Sequence, residues 1–286
     1  DSVLSRGLGD VYKRQILSEA NSLVERGTKE LLIISQDTSA YGLDLKFEET
    51  LVNGKKHKTN IYNLVNELAS LGIWVRLHYI YPYPHVKQLI PLMDQDRVLP
   101  YLDVPFQHAH PDVLKRMARP SNNVHDLEQI SEWRSINPDL SIRSTFIVGF
   151  PGETESEFNF LLDWLEEAKI DRVGCFKYED VSGARSNAME GHLHNDIIQD
   201  RYDRFMSRAQ QLSELKLKEK IGKTFTCVID SVEQDHLICR SIFDAPEIDG
   251  IVSVPKKQNH HRVGEHVTVK IRGSSEYDLE GKLLLY

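Results

Sequence analysis

The sequence predicts an α/β chain: a partial barrel of parallel βα repeats, followed by a small all-β barrel of OB-like plan. Short apolar runs rich in β-branched residues alternate with stretches of helical periodicity from residue 16 to about residue 220. Beyond Gly222, five short strand-like runs succeed one another with no helical period between them. The alternation opens on a helix, so the first strand of the βα series is expected to lie upstream of this chain.

Each element has a local cause. Ile16, Ala20, Leu23 and Val24 recur at helical spacing, and Gly27 stands where a C-cap belongs. Glu30–Ser35 is a short buried-strand run. Asn60 caps a helix carrying Ile61, Leu64, Val65, Leu68 and Leu71, closed by Gly72. "IWVRLHYIYP" reads as a strand, "HVKQLIPLM" as a short helix and "VLPYLDVPFQH" as the next strand. "DVLKRM" and "NNVHDLEQISEWRSI" are helical, and "LSIRSTFIVG" is a strand. Thr154 and Glu157 form a capping box for a helix over Glu155–Ala168, with Phe158, Leu161, Leu162 and Leu165 on its apolar face. "DRVGCFKY" is a strand, and a long polar helix covers about 196–220. The β domain is built from "TFTCVIDSV", "HLICRSIF", "GIVSVP", "HVTVKIRG" and "KLLLY". Residues 1–15 show no clean period. The expected division is an unmatched end at 1–15, a βα domain at 16–220 and a β barrel at 221–286.

Composition narrows the function. Of the 286 residues, 40% are hydrophobic and 27% charged, as in ordinary globular chains. No apolar run reaches the roughly 20 residues that span a bilayer. The net charge of −8 is wrong for a chain that coats nucleic acid. Cys175, Cys227 and Cys239 lie far apart, in neither a disulfide framework nor a metal-ligand spacing. A reducing cytoplasm fits them.

In a βα barrel, ligands meet the loops after the strands' C-terminal ends. Here those loops are "SQDTSAYG", "HYIYPYPH", "VPFQHAH", "GFPGET" and "KYEDVSGA". All are polar, aromatic or rich in Gly and Pro, which makes a site at that end the expectation. Gly149 and Gly152 permit positive φ or close backbone approach. Their turn is either a capped strand-to-helix connection or a backbone cradle for a carboxylate, ribose or phosphate. The aromatics of Tyr79–His85 either pack or stack on a planar ligand. Gln107, His108 and His110 are hydrogen-bonding or basic groups, and His260-His261 is expected in solvent. "DAPEIDG" (Asp244–Gly250) is either a solvated turn or a docking surface for a basic partner.

Taken together, "SQDTSAYG", "LHYIYPYPH", "LPYLDVPFQHA", "RSTFIVGFPGETE", "DRVGCFKY" and "DAPEIDG" resemble the RimO group of radical S-adenosylmethionine methylthiotransferases, in matching order from residue 16 to the end. The resemblance implies an N-terminal cluster-binding domain, a TIM-like radical S-adenosylmethionine partial barrel and a terminal TRAM domain. It implies S-adenosylmethionine and two [4Fe–4S] clusters, one held by a Cys-x-x-x-Cys-x-x-Cys loop. The implied reaction adds a methylthio group to the β-carbon of an aspartate in ribosomal small-subunit protein twelve. Sulfur donor and electron donor stay unassigned, and no membrane partner is implied.

The sequence departs from the group at the cysteine loop, which it lacks. The chain is therefore expected to be a fragment without redox chemistry of its own. The cofactor residues implied are Ser35, Gln36 and Asp37, then Gln107 and His108, then Arg143, Ser144, Gly149, Gly152 and Glu153. Asp244, Glu247, Asp249, Tyr277 and Asp278 are the implied docking residues. With Glu276 and Glu280 they favour a basic protein over a transfer RNA, the partner of the MiaB-type cousins. Two other readings stand beside this one: a barrel hydrolase with a metal on His78, His108 and His110, and a non-catalytic RNA-binding protein.

Overall fold

The computed structural model describes residues 2–47, 49–52, 55–94, 98–119, 123–256 and 260–284. In chain order the elements are α1 (Ser2–Glu25), β1 (Glu30–Ile33), β2 (Glu49–Val52), β3 (Lys55–Lys58), α2 (Ile61–Ala69), β4 (Trp74–Leu77), α3 (Ile90–Asp94), β5 (Tyr101–Asp103), α4 (Pro111–Arg116), α5 (Asn123–Ile136), β6 (Ser141–Val148), α6 (Glu155–Ala168), β7 (Arg172–Lys177) and α7 (Asn195–Lys218). The β domain adds β8 (Thr224–Val232), β9 (His236–Ser241), β10 (Val252–Pro255), β11 (His266–Ser274) and β12 (Leu279–Leu283). The chain divides into two compact units, residues 1–103 with 133–140, and residues 104–132 with 141–286.

In the first unit β1, β4 and β5 are parallel, with Leu31 opposite Val75, Ile33 opposite Leu77 and Leu77 opposite Leu102. Because strand side chains alternate, Leu31, Val75, Leu77 and Leu102 share one face, and all are buried. Ile61, Leu64, Val65 and Leu68 of α2 are buried with them, and the Asn60 side chain accepts from Asn63 N as expected. The opposite face carries the charged side chains of these strands, beside Leu32, Trp74 and Tyr101. Arg76 lies 4.6 Å over the Tyr101 ring and its Nε donates to Glu30 at 2.7 Å. His78 meets Asp103 one step further along.

Two elements depart from the sequence reading. α1 is helical from Ser2, so helix covers the stretch that showed no period. Its contact there is polar: Lys13 is buried and paired with Glu67 at 2.5 Å, which an apolar count does not register. The antiparallel pair β2–β3 was not anticipated, because Lys55–Lys58 is a run of basic residues with no β-branched signal.

In the second unit β6 and β7 are parallel from Arg143 opposite Arg172 to Val148 opposite Lys177. Gln107 bridges to Phe146 in the same sense. Phe146 packs on Trp164 of α6 and Phe205 of α7, with ring centroids 6.0 and 5.4 Å away. The five C-terminal strands close as β10-β12-β11-β8-β9, antiparallel except for β10 with β12. Leu217 at the end of α7 joins the barrel core with Cys227, Ile229, Cys239, Val252, Val269 and Ile271. β12 starts at Leu279, ahead of the expected "KLLLY", because Leu279 pairs with Val252 to close the barrel. No helix among the described residues is long and apolar enough to cross a membrane.

Candidate functional site

The turn after β6 is built around one carboxylate. Gly149 (φ 81°) and Gly152 (φ 75°) take left-handed backbone, and Glu153 folds back beneath them. Glu153 Oε2 accepts from Gly149 N at 2.7 Å and Phe150 N at 3.2 Å, and Oε1 accepts from Arg201 Nη1 at 2.9 Å. Arg201 Nη1 also reaches Glu153 O. The backbone donors expected to cradle a ligand are thus engaged by the turn's own carboxylate. Burial raises the Glu153 pKa and outweighs the lowering by Arg201 and the two amides. A side chain at Gly149 would stand 2.7 Å from Ile198, and Gly152 N donates to Gly191 O at 2.8 Å, so both glycines serve close approach. The expected capping box follows, with Thr154 Oγ1 accepting from Glu157 N and Glu157 Oε2 accepting from Thr154 N.

His108 lies against this turn. It is buried, its Nδ1 accepts from His110 N at 3.0 Å, and its Nε2 has no hydrogen-bond partner 4.0 Å from Glu153 Oε2. The accepting Nδ1 places the imidazole proton on Nε2. Burial, helped by the charges of His110, Arg116 and Arg201, lowers the His108 pKa to about 3. Gln107 adopts φ 67°, outside the comfortable range of a non-glycine residue. Its N donates to Thr145 O and its O accepts from Ile147 N.

The remaining cofactor residues sort by what they touch. Ser35 and Gln36 are exposed at the end of β1. Asp37 is engaged on both oxygens: Oδ1 accepts from Ser39 Oγ and Ala40 N, and Oδ2 from Tyr83 Oη at 2.9 Å. Ser144 is buried, with Oγ accepting from Phe106 N. Arg143 and Ser144 sit near the start of β6, and Arg143 Nε lies 3.5 Å from Asp249. Tyr81 stacks on Tyr83, and Tyr83 on His85.

The acidic loop requires a correction. Asp244 and Asp249 are not surface charges: their side chains are 3% and 2% exposed. Asp244 Oδ1 accepts from both Nε and Nη2 of Arg172, and its Oδ2 accepts from Ser241 Oγ. Arg172 Nη1 donates to Tyr277 O at 2.9 Å, and Asp249 Oδ2 accepts from Ala245 N. Asp278 Oδ1 accepts from Ile251 N. Glu247 and Tyr277 are the docking residues left exposed. These aspartates fasten the β barrel to β6 and β7, so the inferred negative surface is smaller than the sequence suggests. His261 also differs from expectation: its side chain is 6% exposed, beside Glu265, whose Oε2 folds the loop by accepting from Arg262 N.

Metal readings find little support in these contacts. His78 Nδ1 faces Asp103 at 3.3 Å, and His110 Nδ1 caps α4 by accepting from Asp112 N. Among the described residues, His110, Asp112 and Glu157 form the group of three ligating side chains within 4.8 Å of one another. Burial acts to raise the Glu157 pKa, but hydrogen bonds from Arg116 and Thr154 outweigh it and hold Glu157 low. That carboxylate already has a guanidinium at 2.9 Å.

An iron–sulfur cluster needs thiolates, and the cysteines present do not suit one. Cys227 and Cys239 are sealed in the β-barrel core. Burial pushes all three thiols upward, Cys239 to about 12, the opposite of what ligation requires.

Residues 5–165 match the Radical SAM superfamily and residues 221–284 match the TRAM domain. The chain belongs to the Radical SAM superfamily. It is 54% identical over 268 residues to the ribosomal protein uS12 methylthiotransferase RimO of Roseobacter denitrificans, covering 94% of this chain and 58% of that protein. It is 53% identical over 273 residues to the protein of that name from Paracoccus denitrificans, with coverage of 94% and 58%. The counterpart from Vibrio cholerae serotype O1 is 53% identical over 279 residues, with coverage of 96% and 59%. The chain therefore spans a little under three fifths of these relatives' length.

Sequence reasoning missed Arg172, Arg201 and Asp103. Each carries a signal in retrospect. Arg201 shares a buried helical stripe with Phe205 and Ala209, and Arg172 and Asp103 stand inside apolar strand runs.

Two predictions follow from these contacts. Because the folded His108 pKa is depressed, its contribution to stability is present above pH 6.5 and lost as pH falls toward 3. Urea denaturation between pH 7 and pH 5 will show wild type losing about 1.4 kcal/mol per pH unit below 6.5 relative to His108→Gln. Arg172→Ala, which leaves Asp244 buried without its cation, will lose about 3–5 kcal/mol in chemical denaturation. The Arg172→Ala/Asp244→Ala double variant will recover part of that loss.

Proposed function

We propose that the chain carries the S-adenosylmethionine-binding partial barrel and the TRAM domain of a methylthiotransferase. Its reaction adds a methylthio group to the β-carbon of an aspartate in ribosomal protein uS12. The observation that carries this reading is the identity of 52–54% across at least 94% of the chain to proteins of that name, spanning both domains in order.

When bound, the [4Fe–4S] cluster and S-adenosylmethionine supply the radical. None of this chain's thiols suits the cluster. The chain's own part is to bind and orient. Ser35, Gln36 and Gln107 are the S-adenosylmethionine contacts: Gln36 stands exposed after β1, Ser35 is exposed beside it with its Oγ 3.3 Å from Thr38 Oγ1, and Gln107 is half-buried where it bridges to Phe146. Asp37, His108, Ser144 and Glu153 shape the loops that carry them, with Gly149 and Gly152 allowing the turn. Arg143 acts from below by holding Asp249. The partner is uS12, met by the exposed Glu247 and Tyr277 side of the β barrel, and the compartment is the cytoplasm.

A chain extended to the relatives' full length, reconstituted without oxygen, will release deoxyadenosine from S-adenosylmethionine and add one methylthio group to uS12 by mass spectrometry. The present chain, as control, will do neither. Modification of a transfer RNA and not of uS12 would overturn the substrate assignment in favour of the MiaB-type reaction. Absence of both products with clusters present would overturn the reading itself.

A further inference from the structure

One cavity of the second unit lies away from the strand-end loops. It holds about 310 Å³ and sits where β7, α7 and two loops of the β barrel come together. Its lining includes Arg143, Arg172, Ser213, Ile248, Tyr277 and Asp278. The arginines there are engaged. Arg172 donates to Asp244 and to Tyr277 O, and Arg143 Nε lies 3.5 Å from Asp249. Asp249 has a further donor in Ala245 N.

Two acceptors on the same lining are left over. Asp278 Oδ1 accepts from Ile251 N at 2.9 Å, which fixes the carboxylate. Among the described residues Asp278 Oδ2 has no hydrogen-bond partner, and no cation pairs with this side chain. Ser213 is 5% exposed, and its Oγ has no hydrogen-bond partner. A serine within a helix can satisfy itself on the carbonyl four residues back, and this one does not. Ala209, one turn earlier on the same helix face, lines the cavity too, so this face of α7 is turned toward it. A buried hydroxyl without a partner calls for an occupant.

The leftover groups define that occupant. A carboxylate oxygen only accepts, and a hydroxyl can accept, so the ligand brings N–H donors and a positive charge. An anion would meet Asp278 while the arginines beside it are already matched. Ile248 and Tyr277, 52% and 43% exposed, offer apolar surface to an aliphatic stem. We propose that this cavity binds an alkylammonium group, with Asp278 and Ser213 receiving its N–H donors. Under the proposed function, on which this choice of source rests, the group is a lysine side chain of uS12. A free polyamine presents the same chemistry.

The probe is n-butylammonium, titrated into the full chain against sodium chloride of equal ionic strength. Affinity is read by ligand-observed NMR, and melting temperatures are recorded beside it. Butylammonium will bind saturably, and tetramethylammonium, which has no N–H, will not. Asp278→Asn keeps the acceptor for Ile251 N and loses the charge, so affinity will fall about tenfold. Ser213→Ala will weaken binding about fivefold, yet its melting temperature will hold or rise as an unpaired hydroxyl is lost. No saturable binding, equal binding of tetramethylammonium, or unchanged affinity in both variants would overturn the proposal. A Ser213→Ala chain that melts lower would show an internal partner for the hydroxyl and overturn it as well. Displacement of bound butylammonium by uS12 assigns the group to a substrate lysine. Displacement by spermidine and not by uS12 assigns it to a free polyamine, and leaves the proposed reaction to its own test.

Discussion

The second unit depends on the burial of Glu153. An ionised carboxylate in an apolar interior is costly unless its lone pairs are satisfied. Here two amides of its own turn and one guanidinium from α7 do so. That requirement explains the rest of the local design. The turn must bring Gly149 N and Phe150 N to one oxygen, which demands left-handed backbone at Gly149. Arg201 must come from a helix packed flat on the strand, and Phe205 and Ala209 supply its apolar stripe. His108 stays neutral because burial, with the charges of His110, Arg116 and Arg201, outweighs the pull of Glu157 toward protonation.

A second buried ion pair fixes the β barrel. Arg172 satisfies Asp244 and Tyr277 O, while Ser141 Oγ donates to Phe243 O. Lys220 lies 3.6 Å over the Phe243 ring where α7 hands over to the barrel. Loops that look like acidic surface by composition are therefore an anchoring device, and charge count alone misjudges them. What recognises a partner must be sought among groups outside these networks.

The fold was legible in the sequence to the extent that apolar periodicity controls it. The capping box at Thr154, the Asn60 cap and the five-stranded barrel follow from patterns of two and 3.6 residues, and the structure has them. Polar contacts were not legible in the same way. Lys13, Arg172 and Arg201 carried no role in the sequence because a sequence does not show that a long side chain reaches a buried carboxylate. Nor did it show that Asp37 and Glu153 satisfy their own loops. The strand ends were correctly located as polar and aromatic, but which of their atoms stay open is a property of packing.

This division has a consequence for how such a barrel mouth works. Engaging most polar groups internally makes the loops rigid, and rigid loops lower the ordering cost of binding. Recognition then falls to the few side chains held outside the network. Gln36 after β1 and Tyr79 after β4 are exposed, whereas Ser35 Oγ lies 3.3 Å from Thr38 Oγ1. At Gln107 and Tyr79 a left-handed backbone has been imposed on a residue that does not prefer it. At both positions hydrogen bonds from neighbouring strands or loops hold the strained backbone in place.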